Sequence, residues 1–470
     1  MVANQESVAD FNYRGEIPGS KSLLNRLLIC ASHCPRPFEI VGHSSCEDVE
    51  KMSQSLQALR LASEAKTTEG LGLAEAGASV SVPRAQGRLD CGSGGTTLRF
   101  LALRASRLPG RWTLTGTERL FSRPQGALVE MAQSLGVSLQ LQRSAPEAGV
   151  GALEVSLDPA RGGFPTLVVD SQGWQKPQGP VLIDASRSSQ FLSAVVLNAW
   201  DLPFELKLHV VGGLASRGYW EMTKKLVIDL GMELREESSV QALCEIVIPP
   251  GQQIKKTSYV VEPDMSSAFT VAALAALGGQ VELLNFPQQS LQPDAVFVEL
   301  LQQMGVKVEL ENSARTHPGA LSLLRVQGNS SKALRPLTVN LESCPDLFPV
   351  LAVLCALAPG RSRLFGAPQL VHKESNRIVK VAELLNLMGR ECELTADGLV
   401  IVGKAPDGPR LGDRFSSSVT LFDPDQDHRL AFAATLAAQA GFAIQVSDPS
   451  VVNKSFPEFW QVVAEGRGRQ

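Results

Sequence analysis

The chain has 470 residues, 44% hydrophobic and 20% charged, with a formal net charge of −4. That apolar share suffices for sizeable cores, and the acidic balance argues against a broadly basic surface of the kind that binds nucleic acid or membranes. Eight cysteines are scattered without a CxxC pair or a histidine at zinc-ligand spacing, so reduced thiols are expected and metal catalysis has no support. The opening MVANQESVADFNYRGE lacks the basic and apolar regions of a secretory signal. The most apolar stretches, 348–359 and 442–446, are shorter than the ~18 residues that cross a bilayer. A cytoplasmic protein is expected.

In chain order, six clusters of Ser, Gly, Thr, Asp or Pro each open into an apolar run about ten residues long. They are SKSLLNRLLICAS from Ser20, SGGTTLRFLALRAS from Ser93 and SRSSQFLSAVVLNA from Ser186, then MSSAFTVAALAALGG from Met265, PDLFPVLAVLCALAPG from Pro345 and QDHRLAFAATLAAQAG from Gln426. Ser and Asp at these starts are N-cap residues, so each run is a predicted helix. Helices that are apolar nearly all round belong inside a domain. An amphipathic helix follows in most intervals: RPQGALVEMAQSLGV, GYWEMTKKLVIDLGM, PDAVFVELLQQMGV and NRIVKVAELLNLMGR. These end at Gly136, Gly231, Gly305 and Gly389, which suit a left-handed C-cap. An alternating strand candidate comes next each time, such as VSLQLQ or VKVELE. The first unit has a degenerate version, EDVEKMSQSLQALRLA, and the sixth ends on SFPEFWQVVAEG.

Each unit thus reads as strand, buried helix, strand, amphipathic helix, strand, strand, with about 78 residues per unit. Solenoid repeats run ~20–50 residues, so these units are better read as parts of globular assemblies. Three units per domain give two similar α/β (α+β) domains, divided near the Pro/Gly-rich stretch 248–263.

Helix N-termini carry unpaired N–H groups and partial positive charge, so they suit anions. Cations gather at these starts. Lys21 and Arg26 lie in the first buried helix, Arg99 in the second and Arg429 in the sixth; Arg123, Lys373 and Arg377 open amphipathic helices, and Lys454 precedes the last. A cation there opposes the dipole unless an anion sits among them. One such residue alone reads as a solvated charge; the recurring set reads as a site. Ser20/Ser22 and Ser186/Ser188/Ser189 with Gln190 add a polar cradle for phosphate or carboxylate oxygens, whereas Ser266/Ser267 read as plain caps. The Gly92–Gly95 turn has bare backbone that can approach an anion. PGSKS is not a P-loop, because Ser20 stands where GxxxxGK[ST] requires Gly. Acid–base candidates are Asp346, Glu374, Asp427, Asp264 and His428, of which Asp346 and Asp264 read equally well as caps. Glu374, beside Lys373 and Arg377, stands out because cations and anions around a carboxyl steer its protonation. No GxSxG elbow is present, which leaves no hydrolytic triad.

PGSKSLLNR, LDCGSGGTTLRF, LTGTERLFSRP, SRSSQFLSA, the CPD of Asp346, HKESNRI, QDHRLA and NKSFPEFW span nearly the whole chain. In that order they resemble the motifs of the 5-enolpyruvylshikimate-3-phosphate synthase family. The resemblance implies two pseudo-threefold domains of βαβαββ units around buried helices, joined by a two-strand hinge. Residues 18–260 would form one domain, and 1–17 plus 261–470 the other. It implies that the 5-hydroxyl of shikimate 3-phosphate attacks C2 of phosphoenolpyruvate and phosphate then leaves, in a monomer needing no cofactor, nucleic acid or membrane.

By motif position, Asp346 looks like the base, Glu374 the proton donor, and Lys21 a residue that reaches both substrates. Shikimate 3-phosphate is expected at Lys21, Ser22, Arg26, Ser188, Ser189, Gln190, Ser216, Asp346, Gln369 and Lys373. Phosphoenolpyruvate is expected at Lys21, Gly95, Arg123, Gln190, Arg377, Arg429 and Lys454. The chain departs from the family at Ser93 and Gln369, where Asn is usual, at Asn376, where Asp is usual, and at Gly218, where Pro is common. None of these removes the acid, the base or the main cations. Gly95 leaves the pocket unblocked, which implies sensitivity to glyphosate. Related families fit less well. A UDP-N-acetylglucosamine enolpyruvyl transferase typically has a reactive Cys in the loop that reads GTERLFSRP here, and an RNA 3′-phosphate cyclase would need a nucleotidylated His and a more basic surface. A silent metabolite-binding module is the reading from another class, and retention of Asp346, Glu374, Lys21 and the arginines argues against it.

Overall fold

A computed structural model of the chain describes residues 10–42, 44–69, 85–144, 164–237, 243–311, 321–328, 333–405 and 419–468. The six apolar runs form the helices Lys21–Ala31, Gly95–Ser106, Gln190–Leu197, Met265–Ala276, Phe348–Ala356 and His428–Gln439. Ser20, Asp264 and Asp427 cap three of them by accepting from the N–H of Leu23, Ser267 and Arg429. The second and third start later than their Ser clusters. Asp90 accepts from Gly92 N and Asp184 from Ser186 N, both at 2.9 Å, so the first residues of each cluster are held in turns. The fifth is entered through a tight turn, Pro345–Leu347. Every residue of Phe348–Ala356 is buried, and each Leu or Val so placed contributes about 1.5–3 kcal/mol.

Gly136, Gly231, Gly305 and Gly389 have φ of +75°, +107°, +91° and +64°, the left-handed C-caps expected of them. The chain leaves each into a strand: Ser138–Ser144, Arg235–Glu237, Lys307–Glu311 and Glu391–Thr395. Four sheets share one plan. In the second unit, Ala85–Asp90 runs parallel to Gly110–Thr115, which pairs antiparallel with Phe164–Ser171, and that strand pairs antiparallel with Ser138–Ser144. Among the described residues the first and sixth units are shorter. They give only the parallel pairs Glu39–Val41 with Ser258–Val260 and Thr420–Phe422 with Ile444–Val446. In the sixth, the chain after Val446 turns into Pro449–Lys454 and the helix Phe459–Gly466 instead of further strands.

Buried apolar side chains form two cores. One draws on residues 23–261, the other on Phe11, Ile17 and residues 265–463. The strand Phe11–Gly15 joins the second lobe, parallel to Gly279–Pro287. The chain crosses between lobes twice, and the crossings lie side by side. Ser20 N donates to the Glu262 carbonyl at 2.8 Å and Asp264 N to the Pro18 carbonyl at 2.9 Å. This joint brings the openings of the buried helices in the two lobes face to face.

Candidate active site

The pocket between the lobes is lined from one side by Lys21, Ser22, Arg26, Gly95, Thr96, Arg123, Ser188, Ser189, Gln190 and Ser216, and from the other by Asp346, Lys373, Glu374, Arg377 and Arg429. Asp48, Tyr219 and His428 complete the wall. Five of the six buried-helix openings thus contribute. The opening at Ser266/Ser267 does not. These serines, expected as caps, lie inside the helix; Asp264 is the N-cap, and both serine hydroxyls donate to its Oδ1 because that carboxylate precedes the first turn.

Arg377 organises the far wall. Its guanidinium donates to Asp427 Oδ2 at 2.7 Å, Asp346 Oδ1 at 2.8 Å and Glu374 Oε2 at 3.2 Å. Arg429 Nη2 reaches Asp346 Oδ2 at 2.8 Å, and Lys373 stands 3.6 Å from Asp346. Burial raises the Asp346 carboxyl, but Arg429, Lys373 and Arg377 together hold it well below the usual range. Burial likewise raises Glu374, and Lys454, Arg377 and Arg123 overcome it. Both acids are ionised at neutral pH. Burial lowers Lys373, partly offset by Asp346. For Lys21 burial is again the largest influence and lowers the pKa, but Asp48, 3.1 Å away, outweighs it with smaller help from Cys46 and Glu374, so Lys21 is held as an ammonium.

Two predicted residues stand just outside this lining. Lys454 donates to Glu374 Oε1 at 3.2 Å and to the Ser93 carbonyl at 3.3 Å, joining the lobes. Gln369 donates to Ser216 Oγ at 3.1 Å and faces an adjoining cavity with Arg99, Arg187 and His372. Arg99 works from behind, donating to Gln190 Oε1 at 2.7 Å and Ser188 Oγ at 3.3 Å.

The departures also acquire physical meaning. At position 93 the contact to Lys454 is made by the backbone carbonyl, which any residue supplies. Asn376 caps Arg377–Leu387 by accepting from Val379 N, a task Asn performs as well as Asp. Thr96 belongs to the Gly-rich turn that the sequence marks as a candidate anion site, and it does line the pocket. Sequence reasoning missed Asp48 and Tyr219: an acid in the first turn of Glu47–Glu69 reads as an ordinary partner of the helix dipole, and nothing local marks Tyr219.

Several buried polar atoms make no hydrogen bond: Arg123 Nε and Nη1, Arg429 Nε, and both ring nitrogens of His428. Burial, then Lys21, Arg429 and Lys454, keep His428 neutral. A Cβ on Gly95 would lie 2.6 Å from Arg123 Nη1, so glycine lets the guanidinium lie against the helix opening. Buried donors with no acceptor, beside helix N-termini, fit an anionic ligand. Among the described residues no group of His, Cys, Asp or Glu is placed to hold a metal ion, and no helix is long and apolar enough to cross a membrane.

A family model for EPSP synthase (3-phosphoshikimate 1-carboxyvinyltransferase) matches residues 14–463. The chain is 30% identical over 464 residues to the 3-phosphoshikimate 1-carboxyvinyltransferase of Syntrophobacter fumaroxidans, covering 97% of each. It is 31% identical to that of Kocuria rhizophila, over 96% of this chain and 92% of that one. Among solved structures, EPSP synthase from Acinetobacter baumannii has the same fold, with a TM-score of 0.67 at 22% identity, covering 97% of this chain and 96% of that one. The enolpyruvyl transferase NikO from Streptomyces tendae gives 0.63 at 16% identity, covering 98% and 95%.

Proposed function

The chain belongs to the EPSP synthase (3-phosphoshikimate 1-carboxyvinyltransferase) family, and from that premise we propose how its own residues carry the reaction. The enolpyruvyl group of phosphoenolpyruvate passes to the 5-hydroxyl of shikimate 3-phosphate with release of phosphate, a step of the shikimate pathway. Shikimate 3-phosphate lies against Ser22, Arg26, Ser188, Ser189, Gln190, Ser216, Gln369 and Lys373. Phosphoenolpyruvate lies among Gly95, Arg123, Gln190, Arg377, Arg429 and Lys454, and Lys21 touches both. Arg suits the second set because its planar fork pairs two oxygens at once.

Asp346 takes the proton of the attacking hydroxyl, and Glu374 delivers a proton to the methylene carbon to form the tetrahedral intermediate. As phosphate leaves, the methyl group so formed returns a proton to the Glu374 carboxylate, Asp346 passes the hydroxyl proton to the departing phosphate, and the enolpyruvyl double bond returns. The observation that carries this reading is the convergence of both carboxylates on one guanidinium, Arg377, beside arginine donors that make no hydrogen bond. Substrate anions compete for Arg377, Arg429, Arg123 and Lys454. As those cations turn to the substrate, burial again dominates, so Asp346 becomes a better base and Glu374 can hold a proton. Fixed cations then stabilise the charge that develops on the departing phosphate. The two cores and paired crossings support reading 18–260 and 1–17 plus 261–470 as two domains that close on substrate. The protein acts as a cytoplasmic monomer.

The test is phosphate release with both substrates and with each omitted in turn. Release with UDP-N-acetylglucosamine in place of shikimate 3-phosphate would overturn the assignment, and silence with either would favour a binding module. Asp346→Ala and Glu374→Ala should each lose about 10²–10⁴-fold in kcat, with substrate Kd changed far less. Near-normal turnover in either variant removes that residue from its role.

A further inference from the structure

The opening of the helix Arg217–Asp229 meets the other lobe along an unbroken seam. Arg217 N donates to Glu342 Oε1 at 3.1 Å. At Gly218 the approach is so close that a Cβ would stand 2.5 Å from Pro293 Cβ and 2.8 Å from the Ser343 carbonyl oxygen. That gives the departure from proline at this position a packing cause. Next in line, the Tyr219 hydroxyl donates to Asp294 Oδ2 at 2.6 Å, across the lobes. Asp294 is only 3% exposed, and its other oxygen, Oδ1, is buried with no partner. The mechanism above uses neither Asp294 nor this contact.

We propose that Asp294 is a positioning residue, holding the Tyr219 ring in the pocket wall by a hydrogen bond made only when the lobes are closed. The proposal rests on the function given above, since Tyr219 shares that wall with Ser189, Ser216 and Asp346. The groups facing Asp294 are Tyr219 on its helix, Cys344 and Asp346 at the turn Pro345–Leu347, Arg429 on His428–Gln439, and Asp264 capping Met265–Ala276. Burial, then Asp346, push the Asp294 carboxyl up to about 7, against the pull of Arg429 and Tyr219. Burial, then Asp294 and Asp346, raise Tyr219 well above its ordinary range, so it keeps its proton and stays the donor. A neutral Asp294 with its proton on Oδ1 avoids an uncompensated buried charge. An acid raised in the closed form binds its proton more tightly closed than open. Closure is therefore favoured at low pH, and it weakens as pH climbs from the ordinary carboxyl value through about 7.

The experiment compares wild type with Asp294→Ala, Asp294→Asn, Tyr219→Phe and the double variant Tyr219→Phe/Asp294→Ala, from about pH 6 to about pH 8.5. Asp294→Ala and Tyr219→Phe should each raise KM for shikimate 3-phosphate about tenfold with kcat within about threefold, and the double variant should be no worse than either single. Asn still accepts from the tyrosine hydroxyl but does not ionise. Asp294→Asn should therefore keep the wild-type KM at about pH 6 and lose the rise of KM that wild type shows toward about pH 8.5. The melting temperature should show the same split without any turnover, falling with pH more in wild type than in Asp294→Asn. A wild-type KM in Asp294→Ala, additive effects in the double variant, or identical pH profiles for wild type and Asp294→Asn would overturn the proposal. Should Asp294→Ala fail to fold, Tyr219→Phe and Asp294→Asn decide the matter. A wild type that melts as described but releases no phosphate overturns the function and leaves the seam standing.

Discussion

Glu374 owes its ionisation to its neighbours. Burial would raise it, and Lys454, Arg377 and Arg123 bring it well below the carboxylate range. In the proposed function phosphoenolpyruvate draws on those same cations, so binding would lift the carboxyl toward the value that burial alone would set. The bound form then holds a proton that the free form does not, and affinity falls as pH rises. Calorimetry of phosphoenolpyruvate binding in buffers of different ionisation enthalpy should show proton uptake at neutral pH that is smaller in Glu374→Gln. Equal uptake in both proteins would pass the proton to another group, and neutral His428, buried without a hydrogen bond on either ring nitrogen, is the one to test next. At this scale Asp346, Glu374 and Arg377 were legible because charges at helix openings break a local expectation. Asp48 and Asp294 were not. The first sits where an acid suits the helix dipole, and the second follows Pro293 in a first turn, where an acid is equally ordinary.

At the scale of elements, the opening of Met265–Ala276 is a helix start whose polar groups satisfy one another. Asp264 Oδ1 accepts from Ser267 N, Ser266 Oγ and Ser267 Oγ, each at 2.9 Å, at a site 6% exposed. Losing an N-cap costs about 1–2 kcal/mol, and stranding buried donors adds about 1–3 kcal/mol. Asp264→Ala should therefore lower the denaturant midpoint by the equivalent of about 2–4 kcal/mol, and Asp264→Asn should recover much of it. A loss below about 0.5 kcal/mol would mean that water or a shifted backbone replaces the cap. The buried helices, and the glycine C-caps of the amphipathic ones, were readable because apolar runs and left-handed turns are local signals. The delayed starts at Gly95 and Gln190 were not, since they depend on Asp90 and Asp184 holding the preceding turns. Pairing of Phe11–Gly15 with a strand more than 260 residues away is a matter of register, which no local pattern encodes.

For the whole molecule, a net charge of −4 and a pocket proposed to take two polyanions pull in opposite directions. Cations from both lobes converge on the pocket: Lys21, Arg26, Arg123, Lys373, Arg377 and Arg429 line it, with Lys454 at its edge. Field lines entering a narrow cleft are set by the charges that line it more than by distant surface acids. Those acids are screened from the approaching substrate once their separation exceeds the Debye length, ~10 Å at 0.1 M salt. Association of either substrate should therefore be steered by attraction, although the protein as a whole repels anions. Raising potassium chloride from about 50 to about 500 mM should lower kcat/KM for phosphoenolpyruvate about tenfold while kcat changes less than about twofold. Substituting acids on the outer surface should leave that slope nearly unchanged, whereas Arg123→Gln should flatten it. A kcat/KM that holds steady or rises with salt would show that the outer acidic surface, not the pocket, governs encounter.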